Sequence, residues 1–277
     1  MSESRTLVSG RGLVESPRWS GDRWYVSDWS AGEVFTVESD GRVDVVATVE
    51  SLPLCTAFTT DGRLILVDST RGRLLRREPD GSLTTYRDLG RPGWNDIVID
   101  GRDNVYVNGA GFDPATGAFT PGGVTLAAAD GTVRAVADDI AFPNGMAVTP
   151  DNGTLIVADS HRHCLVAFDI ADDGGLSGRR VWADLDTGTP DGICIDAEGA
   201  VWYADVPNRS CVRVTEGGAV HRTITLDRGG FACALGGPDG TTLCIVGAGW
   251  RSMAEGVDPG SGQVLVADVD VPGAGWP

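Results

Sequence analysis

The stretch that decides the fold begins at Asn144 and reads NGMAVTPDNGTLIVAD (residues 144–159). A polar residue opens it, and two short apolar runs follow, separated by a Pro-Asp-Asn-Gly turn and closed by an aspartate. Short apolar runs bounded by turn residues are typical of strands. The stretch therefore predicts two strands joined by a tight turn.

The same pattern recurs along the whole chain. The distances between successive first residues are 41, 39, 49, 47 and 40 residues. A repeat of about 40–50 residues with only strand-like content is typical of the blades of a β-propeller, and the helical periodicity of an α-solenoid is missing. The sequence predicts an all-β, six-bladed propeller of four-stranded blades as a single domain over residues 1–277. The first residues of the six repeats are Glu15, Thr56, Asn95, Asn144, Asp191 and Phe231.

The sixth repeat supplies only three strands before the sequence ends. The segment RTLVSG (residues 5–10) has the alternation of an outer strand and precedes the first repeat. Pairing this segment with the last repeat would close the ring and leave no open edge between first and last blades. We therefore expect the two ends of the chain to share one blade.

The composition excludes several classes of protein. Acidic residues outnumber basic ones by 39 to 22, giving a net charge of −17, which argues against a nucleic-acid partner. No apolar run approaches the length of about 18 residues that a membrane span needs. All basic residues are arginines, and without lysine neither Schiff-base catalysis nor a phosphate-loop lysine is available. With no visible signal peptide and no CxxC pair among six cysteines, we expect a cytoplasmic protein with reduced thiols and a small-molecule substrate; the oligomeric state stays open.

The first residues of the repeats carry the main functional signal. In a propeller these positions converge at one mouth of the central channel, and four of the six side chains carry a carbonyl or carboxylate oxygen: Glu15, Asn95, Asn144 and Asp191. Converging carboxylates repel one another unless a positive charge lies between them, and neither a lysine nor an arginine occupies any of these positions. A divalent cation with oxygen ligands would resolve this, calcium first, with magnesium, manganese or zinc as alternatives. The competing interpretation is that Asn-Gly and Asp-Gly are ordinary turns.

A second acidic position closes the second strand of four repeats. Because the residue type does not vary between these repeats, we expect it to cap turns and not to bind a ligand. Its members are Asp28, Asp68, Asp159 and Asp205.

Four motifs in order give the chain a resemblance to the SMP-30/gluconolactonase/luciferin-regenerating-enzyme family. The motifs are Glu15-Ser-Pro, Gly93-Trp94-Asn95-Asp96, Pro143-Asn144-Gly145 and Pro190-Asp191-Gly192. The resemblance implies a six-bladed propeller with one divalent ion held by Glu15, Asn144 and Asp191. It also implies that Asn95 contacts the ion or the substrate and that Asp191 is the catalytic base.

The chain departs from the pattern of the sugar lactonases at two places. Gly93 stands where those members commonly carry a substrate-contacting arginine, and Cys55-Thr56-Ala57-Phe58 replaces a glycine-rich string. Both departures concern specificity for sugar lactones and leave the three implied ion ligands in place.

The resemblance and the oxygen ligands together predict metal-dependent hydrolysis of a lactone, in which the ion polarises the carbonyl and water loses its proton to Asp191 or to the ion. The alternatives are an organophosphate hydrolase on the same site and a non-catalytic, metal-stabilised propeller that binds a ligand. We expect the substrate to be bound by Asn95, Trp94, Trp29 and His161. Further loop candidates on the same face are residues 109–123 as a partial lid, Arg162, Asn208 with Arg209, and Trp250.

Overall fold

The computed structural model describes residues 4–112 and 117–275. Within these residues the chain forms six four-stranded antiparallel sheets, and in five of them the strands follow one another in chain order. This arrangement is a six-bladed β-propeller and confirms the predicted fold class. Each sequence repeat therefore corresponds to one blade.

The strands of each blade are numbered in chain order. Blade 1 contains β2 (Val14–Ser20), β3 (Arg23–Asp28), β4 (Glu33–Val37) and β5 (Val43–Thr48). Blade 2 contains β6 (Thr56–Phe58), β7 (Leu64–Asp68), β8 (Arg73–Arg77) and β9 (Leu83–Asp88). Blade 3 contains β10 (Ile97–Ile99), β11 (Val105–Gly109), β12 (Gly122–Ala127) and β13 (Val133–Ile140).

The second half continues in the same way. Blade 4 contains β14 (Pro143–Val148), β15 (Thr154–Asp159), a 3₁₀ turn (Ser160–Arg162), β16 (Cys164–Ile170) and β17 (Leu176–Asp184). Blade 5 contains β18 (Pro190–Ile195), β19 (Val201–Asp205), β20 (Ser210–Val214) and β21 (Val220–Thr225). Blade 6 contains β22 (Gly229–Gly236), β23 (Thr242–Ala248), β26 (Gly262–Asp268) and β1 (Arg5–Arg11), and a small hairpin of β24 (Trp250–Ser252) and β25 (Gly256–Val257) precedes β26.

The ring is closed as predicted. Strand β1 is the outermost strand of blade 6 and pairs antiparallel with β26. Leu7 and Val8 pack against the apolar core between blades 6 and 1. Arg11 continues this contact, since it forms an ion pair of 3.1 Å with Glu33 in blade 1 and lies over the Phe35 ring. The N-terminal strand therefore connects the first and last blades.

The apolar core is distributed between neighbouring blades. Each of the six buried clusters joins facing sheets; one of them, for example, contains Leu165 of blade 4 and Tyr203 of blade 5. This packing directs the innermost strands β2, β6, β10, β14, β18 and β22 toward the central axis, where the polar first residues of the repeats lie. Within the described residues, no helix has the length and apolar character needed to cross a membrane.

Candidate metal centre at one mouth of the channel

Residues of all six blades line a small cavity at one mouth of the channel. Its free volume of about 10 Å³ admits one water-sized sphere. Three of the predicted ligands line it directly, and Asp191 is next to Gly192, which does so as well. The residues contributed by blades 1 to 6 include, in order, Glu15, Cys55, Asn95, Asn144, Gly192 and Ala232.

The acidic residues that close the second strands hold the segments that lead into the first strands. In blades 1, 4 and 5 the carboxylate accepts a hydrogen bond from a backbone N–H two or three residues before the predicted ligand. The bonds run from Gly12 to Asp28 (3.1 Å), from Phe142 to Asp159 (3.0 Å) and from Thr189 to Asp205 (3.0 Å). Asp28, Asp68 and Asp205 also accept bonds from the turns that follow them, as predicted, whereas Asp159 makes no capping bond to its turn.

A chain of side-chain contacts joins the candidate ligands of blades 3, 4 and 5. The Asn95 Nδ2 atom donates to Asn144 Oδ1 at 3.3 Å, and Asn144 Nδ2 donates to Ser160 Oγ at 3.4 Å. The Ser160 hydroxyl donates in turn to the Pro190 carbonyl at 2.6 Å, one residue before Asp191. Asn144 also donates a side-chain hydrogen bond to Asp191.

The glycines that follow two of these ligands allow the inner strands to approach each other. A Cβ on Gly145 would lie 2.5 Å from the Asp191 carbonyl oxygen, and a Cβ on Gly192 would lie 2.4 Å from the Ala232 Cβ. Both glycines lie inside β14 and β18. The interpretation of Asn-Gly and Asp-Gly as turns is therefore wrong, since close packing around the axis requires these glycines.

Two carboxyls of the cavity have strongly altered acidities. Glu15 is 6% exposed, and burial raises its pKa to about 8, with a further increase from Asp96 and opposing effects of the Ser16 amide and Arg18. Desolvation by the surrounding protein, followed by the charges of Glu15 and Asp96, raises the pKa of Asp191 well above its usual range. Both pKa values are raised because the carboxyls are desolvated and lie close to other negative charges. A bound cation would lower both pKa values again.

Two further members of this cavity, Arg18 and Asp96, are not predicted by the repeat pattern. The guanidinium of Arg18 lies 3.5 Å from Asp96 Oδ1 and also donates to the Ile97 carbonyl at 3.0 Å. Burial raises the pKa of Asp96. None of the first residues of the repeats is basic, as the sequence shows, but Arg18 reaches the carboxylates from three residues further along β2. The reason is a register shift between Glu15 and Arg18, with Ser16 at φ 52°, which lets two residues three positions apart reach one cavity.

The charges of the cavity now fit a divalent cation. Glu15, Asp96 and Asp191 contribute three carboxylates against one guanidinium, so two negative charges are left when all are ionised. Among the described residues, no group of three or more histidine, cysteine, aspartate or glutamate side chains alone could hold a metal. Amide oxygens of Asn95 and Asn144 would have to complete the ligand set, and such a set suits calcium or magnesium better than zinc.

The predicted substrate-binding residues occupy different places. Trp29 lines the cavity, with its indole N–H bonded to the Leu54 carbonyl at 2.8 Å. Trp94 is 3% exposed and packs in the core between blades 2 and 3, behind Asn95. His161 is exposed and stacks on Phe142 with ring centroids 4.7 Å apart. Their contacts with a substrate stay predictions.

The remaining loop candidates are held by local contacts. Residues 113–116 of the predicted lid lie outside the described residues. Arg162 forms an ion pair of 2.8 Å with Asp139, and Asn208 Nδ2 donates to Asp205 at 2.9 Å. Trp250 packs edge to face against Phe231 at 5.7 Å.

We expect Asp205→Asn to weaken cation binding while the propeller stays folded. The amide cannot accept all three bonds that the carboxylate now accepts from the Thr189 N–H, the Asn208 N–H and Asn208 Nδ2, so the segment before Asp191 loses support. Replacing such an outer partner typically costs about 10–100-fold in metal affinity. The matched control is Asp68→Asn at the equivalent position of blade 2, where the first residue, Thr56, is not a candidate ligand. Titration calorimetry should show weaker binding in the first variant only, and equal losses in both would contradict the positioning role.

The fold and the site together define a class: six-bladed propellers with a cavity lined by carboxyl and amide side chains at one end of the channel. The chain belongs to the SMP-30/Gluconolactonase/LRE-like family, whose model matches residues 13–249. This confirms the family resemblance seen in the motifs. The family also includes proteins that are not named lactonases, so membership alone does not decide the reaction.

Curated relatives include named lactonases. The 6-deoxy-6-sulfogluconolactonase of Pseudomonas putida is 30% identical over 155 residues, which span 54% of this chain and 53% of that protein, about half its length. The pentonolactonase of Haloferax volcanii is 25% identical over 256 residues, 90% of this chain and 86% of that protein. Gallus gallus regucalcin is 26% identical over 238 residues, covering 82% and 75% of the two chains.

Solved structures share the fold at low sequence identity. A calcium-binding regucalcin from Agrobacterium tumefaciens superposes with a TM-score of 0.83 at 21% identity, covering 99% of this chain and 96% of that one. A luciferin-regenerating enzyme gives a TM-score of 0.83 at 19% identity, covering 98% and 96%. At these identities the likeness concerns the fold alone.

Proposed function

We propose that the protein is a divalent-metal-dependent lactonase whose ion is held by Glu15, Asn144 and Asp191, with Asn95 on the ion or on the substrate. The observation that carries the proposal is the charge of the cavity. When all are ionised, three carboxylates and one guanidinium leave two negative charges around a space for one small sphere. The names of two relatives, a sulfogluconolactonase and a pentonolactonase, support the lactone as substrate class.

The residues of the cavity fit this chemistry. A divalent cation bound there would supply Lewis-acid polarisation of the lactone carbonyl. Asp191 is the candidate to take the proton from the attacking water, because its carboxyl lies next to Gly192, which lines the cavity. A bound cation would lower the pKa of this carboxyl, so loss of the proton to the ion itself is the alternative. Arg18 already pairs with Asp96 and donates to backbone carbonyls, so its role is to hold the carboxylates and not to bind substrate.

Calcium is the ion we favour, with magnesium, manganese and zinc as the others to test. Carboxylate and amide oxygens are typical calcium ligands, and a calcium-binding regucalcin shares the fold. All six cysteines are free thiols, which supports a cytoplasmic location.

The direct test is a panel of lactones in a pH-indicator assay. The enzyme is stripped with a chelator and assayed with and without Ca²⁺, Mg²⁺, Mn²⁺ or Zn²⁺. Turnover that depends on the ion supports the proposal. Turnover of phosphotriesters instead would favour the organophosphate alternative. A higher melting temperature with the ion but no turnover of either class would favour the ligand-binding alternative.

Cation affinity is expected to rise with pH. Because the Glu15 pKa is raised to about 8, cation binding at neutral pH must displace a proton, and the dissociation constant should fall about tenfold per pH unit below pH 8. The same shift destabilises the ion-free protein as the pH rises from about 4.5 to about 8, since the folded state holds this proton more tightly than the unfolded chain. Calorimetry between pH 6 and pH 9 measures the affinity. A Glu15→Gln variant that keeps the full pH slope would assign the proton to another group.

A further inference from the structure

Four aromatic rings gather beside the candidate metal centre. Phe112 and Phe119 come from the connection between β11 and β12, Phe142 directly precedes β14, and His161 lies in the 3₁₀ turn after β15. We call them the Phe–His cluster. The ring centroids are 5.4 Å apart for Phe112–Phe119, 6.2 Å for Phe112–Phe142, 6.1 Å for Phe119–His161 and 4.7 Å for the stacked pair Phe142–His161.

The cluster is fixed to the candidate centre through its own chain neighbours. Phe142 lies two residues before Asn144, a distance that extended chain spans in at most about 7 Å. His161 follows Ser160, whose hydroxyl contacts both Asn144 and the Pro190 carbonyl. A molecule whose carbonyl lies at the cavity would therefore have its substituents within reach of these rings.

The cluster leaves apolar surface uncovered. Phe119 is 57% exposed although it packs against Phe112 and His161, and His161 is exposed as well. An exposed group of large apolar side chains next to a polar centre is typical of a ligand-binding surface. Its faces offer little to a polyol, because hydroxyl groups placed against phenyl rings lose their hydrogen bonds to water without replacement.

We propose that the Phe–His cluster selects lactones with an apolar alkyl or aryl substituent over polyhydroxylated lactones. This inference rests on the proposed lactonase function, and it names the substrate class of that same site. The lactone carbonyl would lie at the cavity, and the substituent would pack against Phe119 and the stacked Phe142–His161 pair. Each methylene group buried there should improve binding about threefold to fourfold.

The test compares glucono-δ-lactone, δ-valerolactone and a 5-pentyl-δ-lactone with the cation-loaded enzyme. We expect kcat/KM for the pentyl lactone to exceed that for δ-valerolactone by at least about tenfold. Phe119→Ala should lower the ratio of kcat/KM for the pentyl lactone to that for δ-valerolactone to less than about threefold. The control is Val181→Ala, a side chain that is 64% exposed on the outer strand β17. Preference for glucono-δ-lactone, or an equal loss for all three lactones in Phe119→Ala, would overturn the proposal.

A binding measurement separates this proposal from the lactonase proposal. The corresponding lactams, with and without the pentyl chain, are not hydrolysed, and calorimetry on the cation-loaded protein reports their affinities directly. If no lactone is turned over but the pentyl lactam binds at least about tenfold tighter and Phe119→Ala removes that difference, the lactonase function fails and the apolar selectivity stands. Equal affinities for the two lactams would reject the selectivity whatever the activity.

Discussion

Replacing Asp191 with asparagine is expected to lower kcat for a lactone substrate by at least about a thousandfold. The substitution removes a candidate ion ligand and the candidate base together, and a general base alone typically contributes about 10²–10⁴-fold. Steady-state hydrolysis at saturating cation measures the effect. The matched control is Asp186→Asn, five residues away on the exposed surface, where φ is 55° and asparagine is well tolerated.

The Asp191→Asn variant is expected to be more stable than the wild type when both proteins are free of ions. Because burial raises the pKa of Asp191 in the fold, its carboxyl destabilises the ion-free protein at pH 8, where the unfolded chain ionises it freely, and an amide at position 191 removes this cost. A rise of about 2–4 °C in melting temperature would correspond to about 1 kcal/mol. Loss of activity together with lower ion-free stability would indicate a damaged fold instead of a missing catalytic group.

Removing residues 1–11 is expected to cost about 5 kcal/mol of folding free energy, much of the total stability of an ordinary domain. The deletion takes away the β1–β26 hydrogen bonds, the packing of Leu7 and Val8 and the Arg11–Glu33 ion pair, and it exposes β26 as an open edge. Thermal unfolding measures the loss, and a truncation of residues 1–3 alone is the control.

A peptide of residues 1–12 added to the truncated protein should restore part of the melting temperature, because β1 pairs with β26 from outside. An unchanged melting temperature in the truncated protein would show that the ring holds without this strand.

The sequence predicted the blades because each one repeats the same two apolar runs around a turn. The closing strand was predictable for the same reason, since the last repeat lacks a fourth strand. Glu15, Asn95, Asn144 and Asp191 could be found because they occupy the same position of each repeat. The blades, the closing strand and the four candidate ligands were thus predictable because they follow the repeat.

The rest of the site does not follow the period. Arg18 reaches the cavity only because the register shifts after Glu15, which strict alternation does not predict. Asp96 could have been predicted as a member of the cavity, because it directly follows Asn95. Any carboxyl close to the channel axis contributes to the net charge of the cavity. The Phe–His cluster brings together residues from three connections that share no pattern, so only the folded chain reveals it.

The central claim, one catalytic ion per chain at the mouth of the channel, is tested most directly by titrating the chelator-stripped protein with Ca²⁺. Bound ion and the rate of lactone hydrolysis are followed in the same samples. We expect both to rise together and saturate at one ion per chain, and we expect Glu15→Gln to shift both curves to higher Ca²⁺ concentration. Full activity in the stripped protein, or a filled site without any hydrolysis, would contradict it.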